Sequence, residues 1–162
     1  MKGVQTMRFR DSILTMRAYT PNSDDSACVC ARLRRGARAL TLLYDETLAP
    51  AGLTVAQFSL LRHIERLGPI GVQALARATG HERSTLARTL RPLERAAWIE
   101  IRRGTDRRRR EACLTDAGRA TLERAHPLWQ HAQERAVARL GSDRDTLFTL
   151  LDQLERAPNE DI

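Results

Sequence analysis

Asp106-Arg107-Arg108-Arg109-Arg110 followed by Glu111-Ala112-Cys113-Leu114-Thr115 places four consecutive guanidiniums at a tight turn between two short apolar alternations. A guanidinium is always charged and presents a planar fork of donors, so a cluster of them suits phosphate oxygens and base edges rather than proton transfer. Upstream, Trp98, Ile99 and Ile101 alternate with polar residues before Gly104-Thr105-Asp106, and downstream Ala112 and Leu114 resume the alternation. A period of two predicts a half-buried β-hairpin that holds the arginines at its tip. From Arg83 to Arg110 ten arginines face three acids, Glu94, Glu100 and Asp106, a surplus of seven that equals the formal net charge of +7 for the whole chain. The remainder is electrically balanced. Charge gathered on one module is the footprint of phosphate binding, whereas the plainer reading, a solvated surface, suits charge that is evenly spread.

Other chemistry finds little footing. His63, His81, His126 and His131 are scattered, no glycine-rich phosphate loop is present, and no serine lies near a plausible histidine and acid, so no enzyme constellation emerges. Cys28-x-Cys30 lacks a second nearby ligand pair, and His126 and His131 are five apart rather than four, so neither a metal nor a cofactor is expected. Three cysteines, Cys28, Cys30 and Cys113, are too few and too oddly numbered for a disulfide scaffold.

The elements that must carry the basic tip are helical. With 162 residues, 42% hydrophobic and only 4% aromatic, the chain has the composition of a mostly α protein with one proper core. Residues 1–25 mix charges without periodicity and read as a mobile arm. From Ser26 to about Leu48, the residues Cys30, Leu33, Ala37, Leu40, Tyr44 and Leu48 recur every three or four positions, which puts them on the buried face of a long helix. Pro50-Ala51-Gly52 ends it, and Thr54-Val55-Ala56-Gln57 has capping-box spacing for a second helix running to about Leu67. A short third helix, Val72 to about Thr79, should stop at Gly80 in a left-handed cap.

In the next helix Leu86, Leu90, Leu93 and Ala97 fall on one side and leave Ser84, Thr85, Arg88 and Arg95 outside, with Pro92 predicting a local kink. A short helix, a tight turn and a helix with a small-polar and basic face make a helix-turn-helix; the hairpin makes it winged. Thr115-Asp116-Ala117-Gly118 opens a fifth helix bent at Pro127, and a sixth carries Leu147, Leu150, Leu151 and Leu154 before a frayed tail at 157–162. No apolar signal segment and no stretch long enough to span a bilayer are present, so a cytoplasmic location is expected.

With these elements in order, the chain resembles the MarR family of bacterial transcriptional regulators from about Cys28 to Leu154. The wing signature D-x-R, followed after five residues by L-T, stands here as Asp106, Arg108, Leu114 and Thr115. Arg83-Ser84-Thr85-Leu86 and Leu93-Glu94-Arg95 look like the family's recognition helix. The resemblance implies a homodimer in which the first, fifth and sixth helices form the interface and two winged lobes reach duplex DNA. The expected organisation is therefore an arm at 1–25, a dimerisation helix at 26–50, a winged helix-turn-helix domain at 51–114, C-terminal dimerisation helices at 115–156 and the tail. Long apolar-striped helices at both ends, with little central bulk to cover them, point the same way.

Site roles follow. Thr85 and Arg88 would face the major groove, with arginine suited to guanine, while Arg83 and Ser84 would seat the helix on phosphate. The family pattern makes Arg108 the minor-groove side chain, oriented by Asp106, with Arg107, Arg109 and Arg110 adding phosphate contacts. The organic-hydroperoxide-sensing branch of the family has a reactive cysteine near the start of the first helix and a tyrosine fourteen residues later; Cys30 and Tyr44 have that spacing. A second tyrosine of that branch is replaced here by Arg34, and the plainer reading of Cys30 is a small apolar residue on the buried stripe, which is what a free cysteine most often is. The function expected is a sequence-specific regulator binding a pseudo-palindromic operator, a repressor relieved by a small molecule or by thiol oxidation. The alternative is an architectural, nucleoid-type DNA-binding protein with little sequence preference.

Overall fold

The computed structural model describes residues 28–80, 82–104 and 110–156, apart from the side chain of Arg83. The chain divides into two units, 1–38 and 39–162. The described part of the first is Cys28 and the opening turns of α1 (Val29–Leu48). There Cys30, Leu33 and Ala37 are exposed, so the expected buried stripe is uncovered at that end. Periodicity shows which residues share a face; whether that face is covered depends on what packs there.

In the second unit, the end of α1 buries Leu43 and Leu48. α2 (Val55–Leu67) starts with the capping box read from sequence: the Thr54 hydroxyl accepts from the Gln57 amide, and the Gln57 side chain accepts from the Thr54 amide. Asp45 adds a third satisfied donor, its carboxylate accepting from the Val55 amide at 2.7 Å. α3 (Val72–Thr79) ends at Gly80, whose φ of 65° is the predicted left-handed cap. α4 (Arg83–Arg95) runs through Pro92 as one element. α5 (Asp116–Leu140) does the same through Pro127, and α6 (Arg144–Arg156) follows a short 3-10 turn.

The sheet has three antiparallel strands in the order β1-β3-β2, namely β1 (Ile70–Gly71), β3 (Arg110–Leu114) and β2 (Ile99–Arg103). The hairpin was expected; β1 was not, because two residues after Gly68-Pro69 are too short to display a period. Its pairing of Ile70 with Ala112 fastens the entry to α3 against the wing.

One core gathers these elements. Phe58, Leu60, Leu61 and Ile64 of α2 meet Leu75 of α3, the α4 stripe, Ile99 and Ala112 of the sheet, and Leu122 and Ala125 of α5. Phe58 stacks on Trp129, ring centroids 5.8 Å apart, joining α2 to α5. α6 has no buried residue. Among the described residues no helix is long and apolar enough to cross a membrane.

Candidate nucleic-acid interface

α4 is fixed from beneath. Leu86, Leu90 and Leu93 are buried, and the other side presents Ser84, Thr85 and Arg88 to solvent. Positions 85 and 88 are one turn apart and Thr85 adjoins Ser84, so the three form one small-polar and basic surface at the start of the helix. Glu82, at the N-cap, makes no side-chain cap bond. First-turn amides thus add to the attraction for an anion beside Ser84 and Thr85.

Ala97 departs from expectation. The helix ends at Arg95, and Ala97 is exposed with a φ of 54°, because the chain reverses there to enter β2. The Thr115 hydroxyl donates to the Ala97 carbonyl at 2.6 Å and accepts from the Gly118 amide at 3.0 Å. One side chain therefore caps α5 and braces the turn between α4 and the wing.

In the wing, Ile99 is buried and Ile101 half-buried, while Glu100 and Arg102 are exposed and form an ion pair at 3.4 Å. Register pairs Ile101 with Ala112, Arg102 with Glu111 and Arg103 with Arg110. Arg103 and Arg110 are both exposed. Asp106, Arg107, Arg108 and Arg109, together with the Arg83 side chain, lie outside the described residues.

Between α3, α4 and the sheet lies an open groove of about 720 Å³. Its floor is apolar, from Ala74, Ala87, Leu90 and Ile101, and its walls carry Arg77, Arg91 and Arg110 with Glu94 and Glu111. Sequence reasoning passed over Arg77 and Arg91, because their common surface is made by the packing of two helices rather than by spacing along one.

The candidate redox residues fall into two environments. Cys28, Cys30 and Arg34 are exposed in the first unit. In the second, the half-buried Tyr44 bonds through its hydroxyl to the Gln133 side chain, and burial raises its pKa. Cys113 is buried, and its thiol is also pushed up, by desolvation first and by Glu100 and Glu111, against a lowering influence from Arg102. Among the described residues no group of three or more histidine, cysteine or acidic side chains is placed to hold a metal.

The chain is similar to known DNA-binding proteins over most of its length. The MarR family model matches residues 51–109, from the approach to α2 to the residue before β3. The Mycobacterium tuberculosis transcriptional regulator MosR, solved in complex with DNA, is 36% identical, with a TM-score of 0.71 over 82% of this chain and 98% of that one. The transcriptional repressor CouR, solved on a 23-mer DNA duplex, is 31% identical, with a TM-score of 0.75 over 83% of this chain and 96% of that one. An HTH-type transcriptional regulator of Bacillus subtilis, YwoH, is 25% identical over 74% of this chain and 88% of its own length.

Proposed function

This chain belongs to the MarR family of DNA-binding transcriptional regulators, and from that premise we propose that it is a homodimeric repressor of a two-fold symmetric operator. The observation that carries the reading is the exposed Ser84, Thr85 and Arg88 surface on a helix anchored by Leu86, Leu90 and Leu93, beside an arginine-bearing wing. Thr85 and Arg88 read base edges in the major groove, and Arg83 and Ser84 seat the helix on phosphate. Arg108, steadied by Asp106, enters the minor groove, and Arg107 and Arg109 contact the flanking backbone. MosR and CouR, both solved on DNA, support duplex DNA as the partner, and the description of CouR as a repressor supports the direction of control. No catalytic step is assigned to the chain, and a cytoplasmic location follows from that partner.

Residues 26–50 and 115–156 serve as dimerisation segments, with 51–114 as the DNA-binding domain. The support is apolar surface left in water: Leu33 and Leu42 of α1 and Phe148, Leu150 and Leu154 of α6 are exposed. Dimerisation sets the two recognition helices about one helical turn of DNA apart, which a pseudo-palindrome matches.

Repression is relieved by a small molecule or by oxidation of Cys30. The exposure of Cys28 and Cys30 favours the thiol route, because an oxidant must reach the sulfur. Selection of bound fragments from genomic DNA, followed by footprinting, tests the main reading. Preference for one palindromic site over random duplex by about 10³ or more is expected, and binding without preference would favour an architectural role instead. Release of operator by a mild organic hydroperoxide from wild type but not from Cys30→Ser supports the thiol route; equal release from both rejects it.

A further inference from the structure

The groove between α3, α4 and the sheet contains charge that the base-reading face does not use, and it shares Arg110 with the phosphate contacts expected of the wing. In an antiparallel pair, residues directly opposite lie on the same side of the sheet, and alternate residues along each strand share that side. Arg103 faces Arg110, and Ile101 faces Ala112 one step further in, so the two arginines continue the side on which Ile99 and Ala112 enter the core. That is the side packed against the helices, and Arg110 lines the groove. Like charges directly opposite each other across a strand pair are destabilising. Here no described carboxylate is ion-paired with either one: Glu100 pairs with Arg102, and Glu111 stands opposite Arg102 with its carboxylate lying against Gly104.

Arg77 of α3 and Arg91 of α4 complete the arrangement from the groove's helical wall. Three elements thus converge guanidiniums on an open cleft with an apolar floor. Glu94 and Glu111 also line the groove, but the Glu111 carboxylate lies against Gly104, so the guanidiniums leave a positive surplus rather than a closed set of ion pairs. A folded protein that keeps an Arg103–Arg110 pair with no described carboxylate on either member gives up some stability, and a polyanion laid between them reverses the sign of that interaction.

We propose that this groove is a backbone clamp for DNA: the phosphodiester strand that separates the groove read by α4 from the groove entered by the wing lies across it, held by Arg77, Arg91 and Arg110, which line it, with Arg103 opposite Arg110 at the groove's edge. The clamp rests on the DNA-binding reading above and adds contacts to it that carry no base information. An arginine fork matches phosphate oxygens in two places at once, and each phosphate neutralised releases condensed counterions. Glu94 opposes the strand and limits affinity, which keeps discrimination with the base-reading residues.

The test is the salt dependence of binding to the selected operator and to random duplex, for wild type, Arg77→Gln, Arg91→Gln, Glu94→Gln and a control outside the groove, Arg139→Gln. Arg77→Gln and Arg91→Gln should each reduce the slope of log affinity against log salt by about one, to the same extent on both duplexes. Glu94→Gln should strengthen binding to both, and Arg139→Gln should leave the slope alone. Arg103→Thr adds a readout that DNA contact alone would not move: its unfolding midpoint without DNA should rise, while its affinity for both duplexes falls. Wild-type slopes in both Arg77→Gln and Arg91→Gln, or a lower midpoint for Arg103→Thr, overturn the clamp while the DNA-binding reading stands. Wild-type protein that binds no duplex overturns both.

Discussion

The hydroxyl of Thr115 and the main-chain carbonyl of Ala97 are 2.6 Å apart, eighteen residues distant in sequence, and join the first residue before α5 to the turn after α4. Because Thr115 also caps α5 through the Gly118 amide, the recognition helix, the wing and the long C-terminal helix share a single fixing point. Thr115→Val keeps the shape and β-branching but removes every bond of the hydroxyl, including one to the Trp98 carbonyl at 3.1 Å. We expect it to cost about 1–2 kcal/mol in denaturant unfolding, with Thr115→Ser recovering most of the loss. A loss no greater than a few tenths would show that the hydroxyl is not holding the turn.

Ala97 itself pays for the sharp exit from α4. A left-handed φ of 54° crowds its Cβ against its own backbone, and the side chain is exposed, so it has no packing to lose. Ala97→Gly should therefore stabilise the protein, by up to about 1 kcal/mol after allowing for the greater freedom of glycine in the unfolded chain. A lower unfolding midpoint would mean that the turn is not strained.

What the sequence made readable was local. Thr54 with Gln57, Gly80, and Thr115 with Gly118 announced helix boundaries because capping is a matter of a few adjacent residues, and the structure places each one where its spacing put it. The hairpin was legible from Ile99, Ile101, Ala112 and Leu114, and Ser84, Thr85 and Arg88 emerged on one exposed surface as their spacing required. What escaped depends on distant partners. β1 exists only because Ile70 pairs with Ala112, and the groove exists only because Arg77, Arg91 and Arg110 are brought together by three elements. The α1 stripe misled at Cys30 and Leu33 for the same reason, since amphipathicity specifies a face but not what covers it.

That uncovered surface gives a prediction about assembly. Phe148 and Leu154 of α6 are 42% and 48% exposed. Replacing both with Glu, a good helix former, leaves the core untouched and places charge where a second copy should pack. Sedimentation should show a monomer in place of the wild-type dimer, and binding to an operator with two half-sites should weaken far more than binding to one half-site. A persistent dimer would move the interface away from α6.

The three thiols should separate by reactivity. Only the thiolate is nucleophilic, and burial raises the Cys113 pKa, so at mildly alkaline pH a smaller fraction of Cys113 is reactive and the side chain is also shielded. Alkylation followed by mass spectrometry should label Cys28 and Cys30 well before Cys113, and raising the pH should increase the Cys113 rate over a higher range than for an ordinary thiol. Unfolding should abolish the difference. Early labelling of Cys113 in folded protein would show that the wing opens readily.

Gly118 provides the clearest conflict between local preference and packing. It lies in the first turn of α5, where helix propensity alone favours alanine over glycine by about 1 kcal/mol. A Cβ at that position would collide with the Trp98 carbonyl and come within 2.8 Å of Leu114 Cδ1. The carbonyl is main chain, held by the Thr115 amide at 3.1 Å and by the Thr115 hydroxyl, so it cannot swing aside as a flexible side chain would. Relief requires α5 to move off the strand that supports the wing. Gly118→Ala should therefore destabilise by about 1–3 kcal/mol, the usual range for overpacking, and weaken DNA binding through displacement of the wing rather than loss of a contact. Chemical denaturation gives the sign directly: a variant more stable than wild type would show that propensity prevails and that the approach of α5 to Trp98 is loose.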